Sequence, residues 1–232
     1  MEDAYYLQFA DEGKQLFCGI YDGHGGDAAA IYARDNLHKL FFKVLTQGEN
    51  EASAFVQAFE TISKELSHQD SGTTAVSFYI KNKTVFLANA GDARLIVIGR
   101  SQAKQLTQDH RLTNPQEYQR LLKAGGVVQP PYVYKDGQGL MPTRTIGDEY
   151  FKDIGIIATP QTDDYQLTSQ DRWIVAGSDG LFDELTNEEI VRLLLASTTA
   201  KQAAEVLKKE VLVTRQGRDN LTFIVLKIKT KL

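Results

Sequence analysis

The stretch TTAVSFYIKNKTVFLANAGDARLIVI, residues 73–98, decides the fold class. It contains three β-rich runs, at residues 73–80, 84–90 and 94–98, which are joined only by KNK and by the Gly91–Asp92 pair. A parallel crossover needs a dozen or more residues, so joints this short predict antiparallel neighbours. The centre of the chain is therefore predicted to be an antiparallel sheet.

Further strands and helices flank this central segment. Residues 5–10 and 16–21 predict two strands joined by a DEGK turn, and the mostly apolar residues 221–228 predict a central strand. Apolar spacing predicts two helices, at residues 27–45 and at about 50–67. These elements indicate an α+β fold, either a layered sandwich of helix, sheet, sheet and helix or a simpler two-layer arrangement.

Three more helices are predicted from their capping residues. Each begins with a cap followed three positions later by a residue that can return the hydrogen bond: Asn114 with Glu117, Thr186 with Glu189, and Thr199 with Gln202. The last of these helices is expected to end near Val213. Residues 127–141 contain PP, DG and QG pairs and are expected to be irregular.

The composition excludes several classes of protein. The 232 residues include 26 Lys and Arg and 30 Asp and Glu, for a net charge of -4, whereas a general nucleic-acid binder usually has a basic excess. The single cysteine, Cys18, excludes an intramolecular disulfide and favours an intracellular compartment, the cytoplasm or nucleus. No apolar run approaches the roughly 18 residues of a membrane span. We therefore expect a single monomeric domain over residues 1–232 with no nucleic-acid or membrane partner.

Acidic residues gather where the predicted strands end. Asp22, Asp92 and Asp179 each follow a strand, while Asp219 and the Glu2–Asp3 pair each precede one. Hard divalent cations take oxygen ligands, and carboxylates that converge repel one another unless a cation neutralises them. A single Asp–Gly pair is more often a turn, so only the whole set indicates a metal site.

Eight motifs follow one another along the chain: MEDA at residue 1, YDGHGG at 21, SGTTA at 71, NAGDARLIV at 89, LTQDHRL at 106, TRTIGD at 143, SDGLFDELTNEEIV at 178 and RDNLTFIVL at 218. The series resembles the metal-dependent serine/threonine protein phosphatases of type 2C, over residues 1 to about 228. The resemblance implies a four-layer α-β-β-α sandwich of two antiparallel sheets flanked by helices. It also implies hydrolysis of phosphoserine and phosphothreonine in protein substrates by a water that bridges two Mn²⁺ or Mg²⁺ ions.

The resemblance also implies roles for the residues at matching motif positions. The implied metal ligands are Asp22, the backbone carbonyl of Gly23, Asp179 and Asp219, with Asp109 at a weaker third ion that Asp183 assists. Glu2 and Asp3 match a pair that holds metal-bound waters. His24 is the expected general acid for the leaving alkoxide, and Arg144 is the expected substrate-binding cation.

Two departures from the family pattern leave alternatives open. The family has a strand and a phosphate-binding arginine before the MED motif, and that arginine has no counterpart in this sequence. Either the chain is a fragment or another cation takes its place. Residues 127–141 correspond to a variable flap that is expected to tune substrate choice. The alternative functions are a catalytically weak pseudophosphatase that acts as a scaffold and, less favoured by the acidic pI, a two-metal nuclease.

Overall fold

The computed structural model describes residues 1–11 and 14–229. The first sheet is formed by β1 (Ala4–Ala10), β2 (Gln15–His24), β3 (Gly72–Lys81), β4 (Thr84–Ala90), β10 (Ile146–Gly147) and β11 (Gln161–Gln166). Its strands run in the order β1-β2-β3-β4-β11, and β10 pairs with β3. All of these pairings are antiparallel, and the KNK joint connects the neighbours β3 and β4 as predicted. The prediction that the Gly91–Asp92 joint also connects neighbours was wrong, because residues 94–98 cross to the second sheet and pair there.

The second sheet has four antiparallel strands in the order β13-β12-β5-β6. These strands are β5 (Arg94–Ile98), β6 (Ala103–Gln105), β12 (Trp173–Gly177) and β13 (Phe223–Lys227). The strand predicted at residues 221–228 lies at the edge of this sheet, because β13 pairs with β12 alone among the described strands. The prediction of a central position was therefore wrong: an apolar strand can also be covered by side-chain packing on its two faces.

Four layers result from the alternation of side chains along the strands. In β2, Leu16, Cys18 and Ile20 pack between the two sheets, whereas Phe17 and Tyr21 pack beneath helices. The helices on the first sheet are α1 (Ala28–Thr46) and α2 (Glu51–Glu65), and those on the second are α6 (Asn187–Leu194) and α7 (Ala200–Lys209). This architecture confirms the four-layer sandwich and excludes the two-layer arrangement.

The capping predictions are confirmed at two helices. Capping boxes begin α6 at Thr186 and α7 at Thr199. The last helix ends earlier than expected, since α7 stops at Lys209 and a π-helical turn, Glu210–Thr214, continues the chain. The predicted DEGK turn includes residues 12 and 13, which lie outside the described residues.

The segment expected to be irregular is a small sheet, so that prediction was wrong. It consists of β7 (Val127–Gln129), β8 (Tyr132–Lys135) and β9 (Gln138–Leu140). The dipeptides that suggested irregular structure are hairpin turns: Pro130–Pro131 separates β7 from β8, and Asp136–Gly137 separates β8 from β9. This flap packs against α3 (Pro115–Lys123) and α4 (Glu149–Lys152) through a small apolar cluster.

No helix in the described part of the chain combines the length and the apolar character needed to cross a bilayer.

Candidate metal centre and active site

Four aspartates, Asp3, Asp22, Asp179 and Asp219, meet where the two sheets converge, and we call them the carboxylate cluster. Asp3 precedes β1 and Asp22 lies in the neighbouring β2. Asp179 follows β12 and begins the short helix α5 (Asp179–Phe182), and Asp219 precedes β13, the partner of β12. The charges of these groups act on one another's ionisation, which places the side chains close together. The predicted residues Asp22, Asp179 and Asp219 therefore share one site.

A close backbone approach holds together the two segments that the second sheet contributes to the cluster. A Cβ on Gly180 would lie 2.1 Å from the backbone oxygen of Asn220, so only glycine fits at this position. The approach fixes Asp179, which precedes this glycine, beside Asp219, which precedes Asn220. The SDG and DN sequences thus form one structural unit although 40 positions separate their aspartates.

Asp3 is the clearest unsatisfied group of the cluster. Both of its carboxylate oxygens are buried, and neither has a hydrogen-bond partner. Burial raises the pKa of Asp3, while the nearby hydroxyls of Thr222 and Ser178 partly offset this effect. The Thr222 hydroxyl is itself buried and unpartnered, so the hydroxyls do not satisfy the carboxylate. A buried acceptor of this kind is costly unless a cation or an ordered water reaches it.

Asp22 and Asp179 also hold their charge at a cost. Burial raises the pKa of Asp22 well above its ordinary value, and the charges of Asp179 and Asp3 raise it further. Burial likewise raises the pKa of Asp179, as do the neighbouring carboxylates, and Arg111 reverses only part of that effect. Buried like charges of this density suit a site for hard divalent cations.

Glu2 joins three segments around the cluster. Its backbone nitrogen donates to Asn220 Oδ1 at 2.8 Å, and its Oε1 accepts from the backbone nitrogen of Gly26 at 2.6 Å. Gly23 lies in β2 directly after Asp22 and is paired with Thr73 of β3. Glu2 and Gly23 are therefore both at the site where the motifs predict them.

Arg111 is a site residue that the sequence analysis did not identify. Its guanidinium donates to Asp92 Oδ2 at 2.6 Å, to Asp179 Oδ2 at 3.1 Å and to Asp183 Oδ1 at 2.8 Å. Asp92 is 3% exposed, and burial raises its pKa although Arg111 opposes the shift. The sequence places Asp92 among the acids that follow strands, but nothing in it marks Arg111 as the partner of Asp92.

Asp109 forms an ion pair near the acids that contact Arg111. Its two oxygens accept from Arg94, Oδ2 at 2.5 Å and Oδ1 at 3.1 Å, and Oδ1 also accepts from Gln105. The charge of Asp109 also contributes to the raised pKa of Asp92. The structure thus places Asp109 in an ion pair at the end of β5, whereas Asp183 lies beside Asp179 through their shared contact with Arg111.

His24 ends β2, two residues after Asp22. Its Nε2 lies 2.7 Å from Oδ2 of Asp148, a residue that the sequence analysis did not propose for the site. Burial would lower the pKa of His24, but the hydrogen bond and the charge of Asp148 outweigh it and the pKa is raised.

Arg144 faces into the protein and does not extend toward a substrate. Its Nη2 donates to Glu117 Oε1 at 2.6 Å and its Nε to Oε2 at 3.1 Å, and Nη1 donates to the backbone of Thr159. Glu117 was expected to complete a helix cap, but only the Asn114 side chain caps α3. Glu117 instead accepts from Arg144, Arg120 and Thr143, which lower its pKa to about 2 against the opposing effect of burial. We call Glu117, Arg120, Thr143 and Arg144 the Glu117 cluster.

An open cleft of about 560 Å³ adjoins the carboxylate cluster. Asp179, Asp183, Asp219 and Arg218 line it. Arg218 is exposed and makes no side-chain hydrogen bond among the described contacts. The cleft is therefore open to a ligand and places the Arg218 guanidinium beside the carboxylates.

The donor atoms of these residues suit divalent cations, although they do not surround one common position. Over residues 1–11 and 14–229, no three acidic, histidine or cysteine side chains converge as a finished ligand set. The guanidinium of Arg111 itself pairs with Asp92, Asp179 and Asp183. The donors are nevertheless carboxylate oxygens, and the unpartnered oxygens of Asp3 are acceptors that hard cations or their waters would satisfy.

Comparison with known families gives an assignment. The family described as "Protein phosphatase 2C" matches residues 1–219 of this chain. The chain belongs to the protein phosphatase 2C family. Members of this family are metal-dependent phosphatases, and the chain is similar to many of them.

Two plant relatives illustrate the similarity. "Probable protein phosphatase 2C 52" of Oryza sativa subsp. japonica is 29% identical over 99% of this chain and 48% of its own length. "Probable protein phosphatase 2C 76" of Arabidopsis thaliana is 30% identical over 99% of this chain and 56% of its own length. The chain thus spans about half the length of these curated relatives. A third, 31% identical over 97% of this chain and 64% of its own length, is "Probable protein phosphatase 2C member 13, mitochondrial" of Oryza sativa.

Solved structures show the same fold. The serine-threonine phosphatase 2C from Toxoplasma gondii superposes with a TM-score of 0.83 at 19% identity, covering 98% of this chain and 90% of that one. The serine/threonine phosphatase Stp1 from Staphylococcus aureus superposes with a TM-score of 0.72 at 25% identity, covering 99% and 89%. The four-layer sandwich of this chain is therefore the fold of the protein phosphatase 2C family.

Proposed function

We propose that this chain hydrolyses phosphoserine and phosphothreonine in proteins, with two Mn²⁺ or Mg²⁺ ions held at the carboxylate cluster. The observation that carries the proposal is the convergence of Asp3, Asp22, Asp179 and Asp219 with too few cations to neutralise them. A scaffold protein has no need to keep such a costly group of charges, so the arrangement favours the enzyme over the pseudophosphatase.

Each acid has a role that follows from its position. Asp22, the Gly23 carbonyl, Asp179 and Asp219 would hold the cations, and Glu2 and Asp3 would orient their waters. Divalent ions bound here would lower the pKa of a water and offset charge on the phosphoryl oxygens. No side-chain nucleophile is needed, and Cys18 is buried with a pKa raised by burial, which makes it unreactive.

The expected roles of two residues change with their surroundings. We propose that Asp109 supports Arg94. A weaker third cation would instead compete with the Arg111 guanidinium for the carboxylates of Asp92, Asp179 and Asp183. We also propose that Arg144 anchors α3 rather than binding phosphate, because Glu117 holds its guanidinium through both oxygens. Arg218, exposed in the cleft, is better placed to meet a phosphate.

His24 is the proposed general acid for the leaving oxygen of serine or threonine. Its side chain is 30% exposed, so one edge of the imidazole is accessible while Nε2 is held by Asp148. The flap, β7 to β9, packs on α4, which begins directly after Asp148. This position supports a role for the flap in substrate choice.

The direct test measures phosphate release from a phosphothreonine peptide with millimolar Mn²⁺ or Mg²⁺. The wild type should be active only with metal, and Asp179→Asn should be inactive. Asp164→Asn, which changes an exposed acid of β11, is the matched control and should retain activity. A wild type that is inactive with both metals, or an active Asp179→Asn, would contradict the proposal.

We further propose a monomer located in the cytoplasm or nucleus. The buried, unpaired thiol of Cys18 is compatible with a reducing compartment. One relative is named as mitochondrial, so cell fractionation has to distinguish the compartments, and sedimentation has to establish the oligomeric state.

A further inference from the structure

His24 and Asp148 form a hydrogen-bonded pair beside the carboxylate cluster. Nε2 of His24 lies 2.7 Å from Oδ2 of Asp148, and 124 positions separate the two residues in the chain. The Asp148 side chain is 5% exposed and that of His24 is 30% exposed. Nε2 is therefore directed into the protein, and Nδ1, which has no hydrogen-bond partner among the described residues, is the nitrogen left for a ligand.

The backbone around Asp148 is built to hold its carboxylate at this place. Asp148 has φ 52° and ψ 44°, in the left-handed region that aspartate and asparagine tolerate better than most residues. The preceding strand, β10, pairs with the start of β3 through Ile146 and Gly147, and the backbone nitrogen of Asp148 donates to the Ser71 carbonyl. The carboxylate position is thus determined by the same strand, β3, that pairs with β2 and His24.

Gly72 leaves the space that the carboxylate fills. A Cβ at this position would lie 2.0 Å from Oδ2 of Asp148 and 2.5 Å from Oδ1. Gly72 is also the register partner of His24. A side chain at residue 72 would therefore push the carboxylate away from the imidazole, and the glycine is required by the pair rather than by a turn.

We propose, on the basis of the proposed function, that Asp148 is a positioning residue. Its carboxylate accepts a hydrogen bond from Nε2–H of His24 and so directs the Nδ1 proton at the leaving oxygen. As the bond between phosphorus and the seryl or threonyl oxygen breaks, that oxygen takes the Nδ1 proton. The imidazole is left neutral, with its Nε2 proton still donated to Asp148. An ion pair that served only stability would not depend on which nitrogen of His24 faces the substrate.

The kinetic test compares two substrates that differ in their need for an acid. Asp148→Asn keeps the left-handed backbone and the side-chain size. It should lower kcat for a phosphothreonine peptide about 10- to 100-fold, as loss of an orienting partner does. The same variant should change kcat for p-nitrophenyl phosphate less than about threefold, since that leaving group needs little protonation. Equal losses on the two substrates would overturn the proposal.

Three further variants sharpen the test. Glu149→Gln removes the exposed carboxylate next in the chain and should change neither rate. Gly72→Ala should reproduce the selective loss of Asp148→Asn, because its methyl group displaces the same carboxylate. In a His24→Ala background, Asp148→Asn should cause no additional loss, since the two residues act as a unit. Additive losses would show that Asp148 acts through another group.

One measurement does not depend on activity. The nitrogen NMR spectrum of the His24 imidazole at alkaline pH should show a single tautomer protonated at Nε2 in the wild type. In Asp148→Asn that preference should be lost. If the wild type shows the preference but hydrolyses no phosphate ester, the proposed function fails and proton delivery to a leaving oxygen fails with it, while the hydrogen bond from Nε2 to Asp148 stands. A wild type that is active without the preference would overturn the role of Asp148 alone.

Discussion

The carboxylate cluster and the Glu117 cluster both contain buried carboxylate oxygens, yet their charges are balanced in opposite ways. In the Glu117 cluster, one carboxylate receives hydrogen bonds from two guanidiniums and a hydroxyl, and its pKa falls to about 2. In the carboxylate cluster, Asp179 alone contacts Arg111 among the described contacts, and the pKa values of Asp3, Asp22 and Asp179 rise. The comparison indicates that carboxylates with cationic partners hold the fold together, whereas carboxylates without them mark the site that needs a ligand.

The largest expected effect is on activity at the unsatisfied cluster. Asp22→Asn removes a proposed metal ligand, and metal ions contribute several kcal/mol to transition-state stabilisation. We expect the rate on a phosphothreonine peptide to fall about 1,000-fold or more, since about 4 kcal/mol corresponds to that factor. Stopped assays at saturating Mn²⁺ would measure the rate.

The same variant should not destabilise the metal-free protein. Asn at this position relieves repulsion with Asp3 and Asp179, so the free energy of unfolding in urea should stay equal or increase. A clear decrease would mean that Asp22 has a structural role like that of Glu117, and the distinction between the two clusters would fail.

The satisfied cluster should behave in the opposite way. Glu117→Ala leaves Arg120 and Arg144 without their shared partner, and breaking a buried ion pair from one side costs about 3–5 kcal/mol. Urea unfolding of the metal-free protein should show this loss, and Glu205→Gln on the exposed face of α7 should show almost none. A loss below about 1 kcal/mol would contradict the structural role.

These two clusters also mark how far the sequence could be interpreted. Asp22, Asp179 and Asp219 were predictable because each lies in a short motif at the end of a strand, where a rigid sheet fixes the side chain. Asp148 and Arg111 were not, because their functions depend on partners brought close only by the packing of distant segments. Glu117 occupies a position typical of a capping box, but the two arginines compete successfully for its carboxylate.

The fold follows the same rule. Antiparallel strands and capped helices were predictable from local features such as the KNK joint and the pair Thr186 with Glu189, whereas the choice of four layers over two came from the resemblance. The flap was not, since its turn dipeptides are shared by loops and hairpins, and the packing of Val133 and Leu140 on α3 decides between them.

Metal binding provides a third comparison of the clusters. Cations that bind only the folded protein stabilise it by about 2.7 kcal/mol at 100 times the dissociation constant. Mn²⁺ should therefore raise the Tm of the wild type in calorimetry, and Asp179→Asn should abolish most of the increase. Glu117→Gln should lower the starting Tm yet keep the full increase, because its carboxylate is not part of the site. If both variants lost the increase, the metal would act on the whole fold rather than on the carboxylate cluster.

Acidification should produce the smallest effect, and its sign depends on the pKa of Glu117. The folded pKa, about 2, lies below the ordinary value of 4.5, so the unfolded chain takes up the proton first as the pH falls. The stability contributed by Glu117 is complete above about pH 4.5 and decreases as the pH falls toward 2. Between about pH 5 and 3.5 the wild type should lose about 1 kcal/mol from this group alone. Glu117→Gln should lack that part of the slope, and urea unfolding at matched ionic strength would measure the difference. Identical slopes in the two proteins would show that the Glu117 carboxylate has no advantage in the folded state, and the ion pairs to Arg120 and Arg144 would then contribute no net stability.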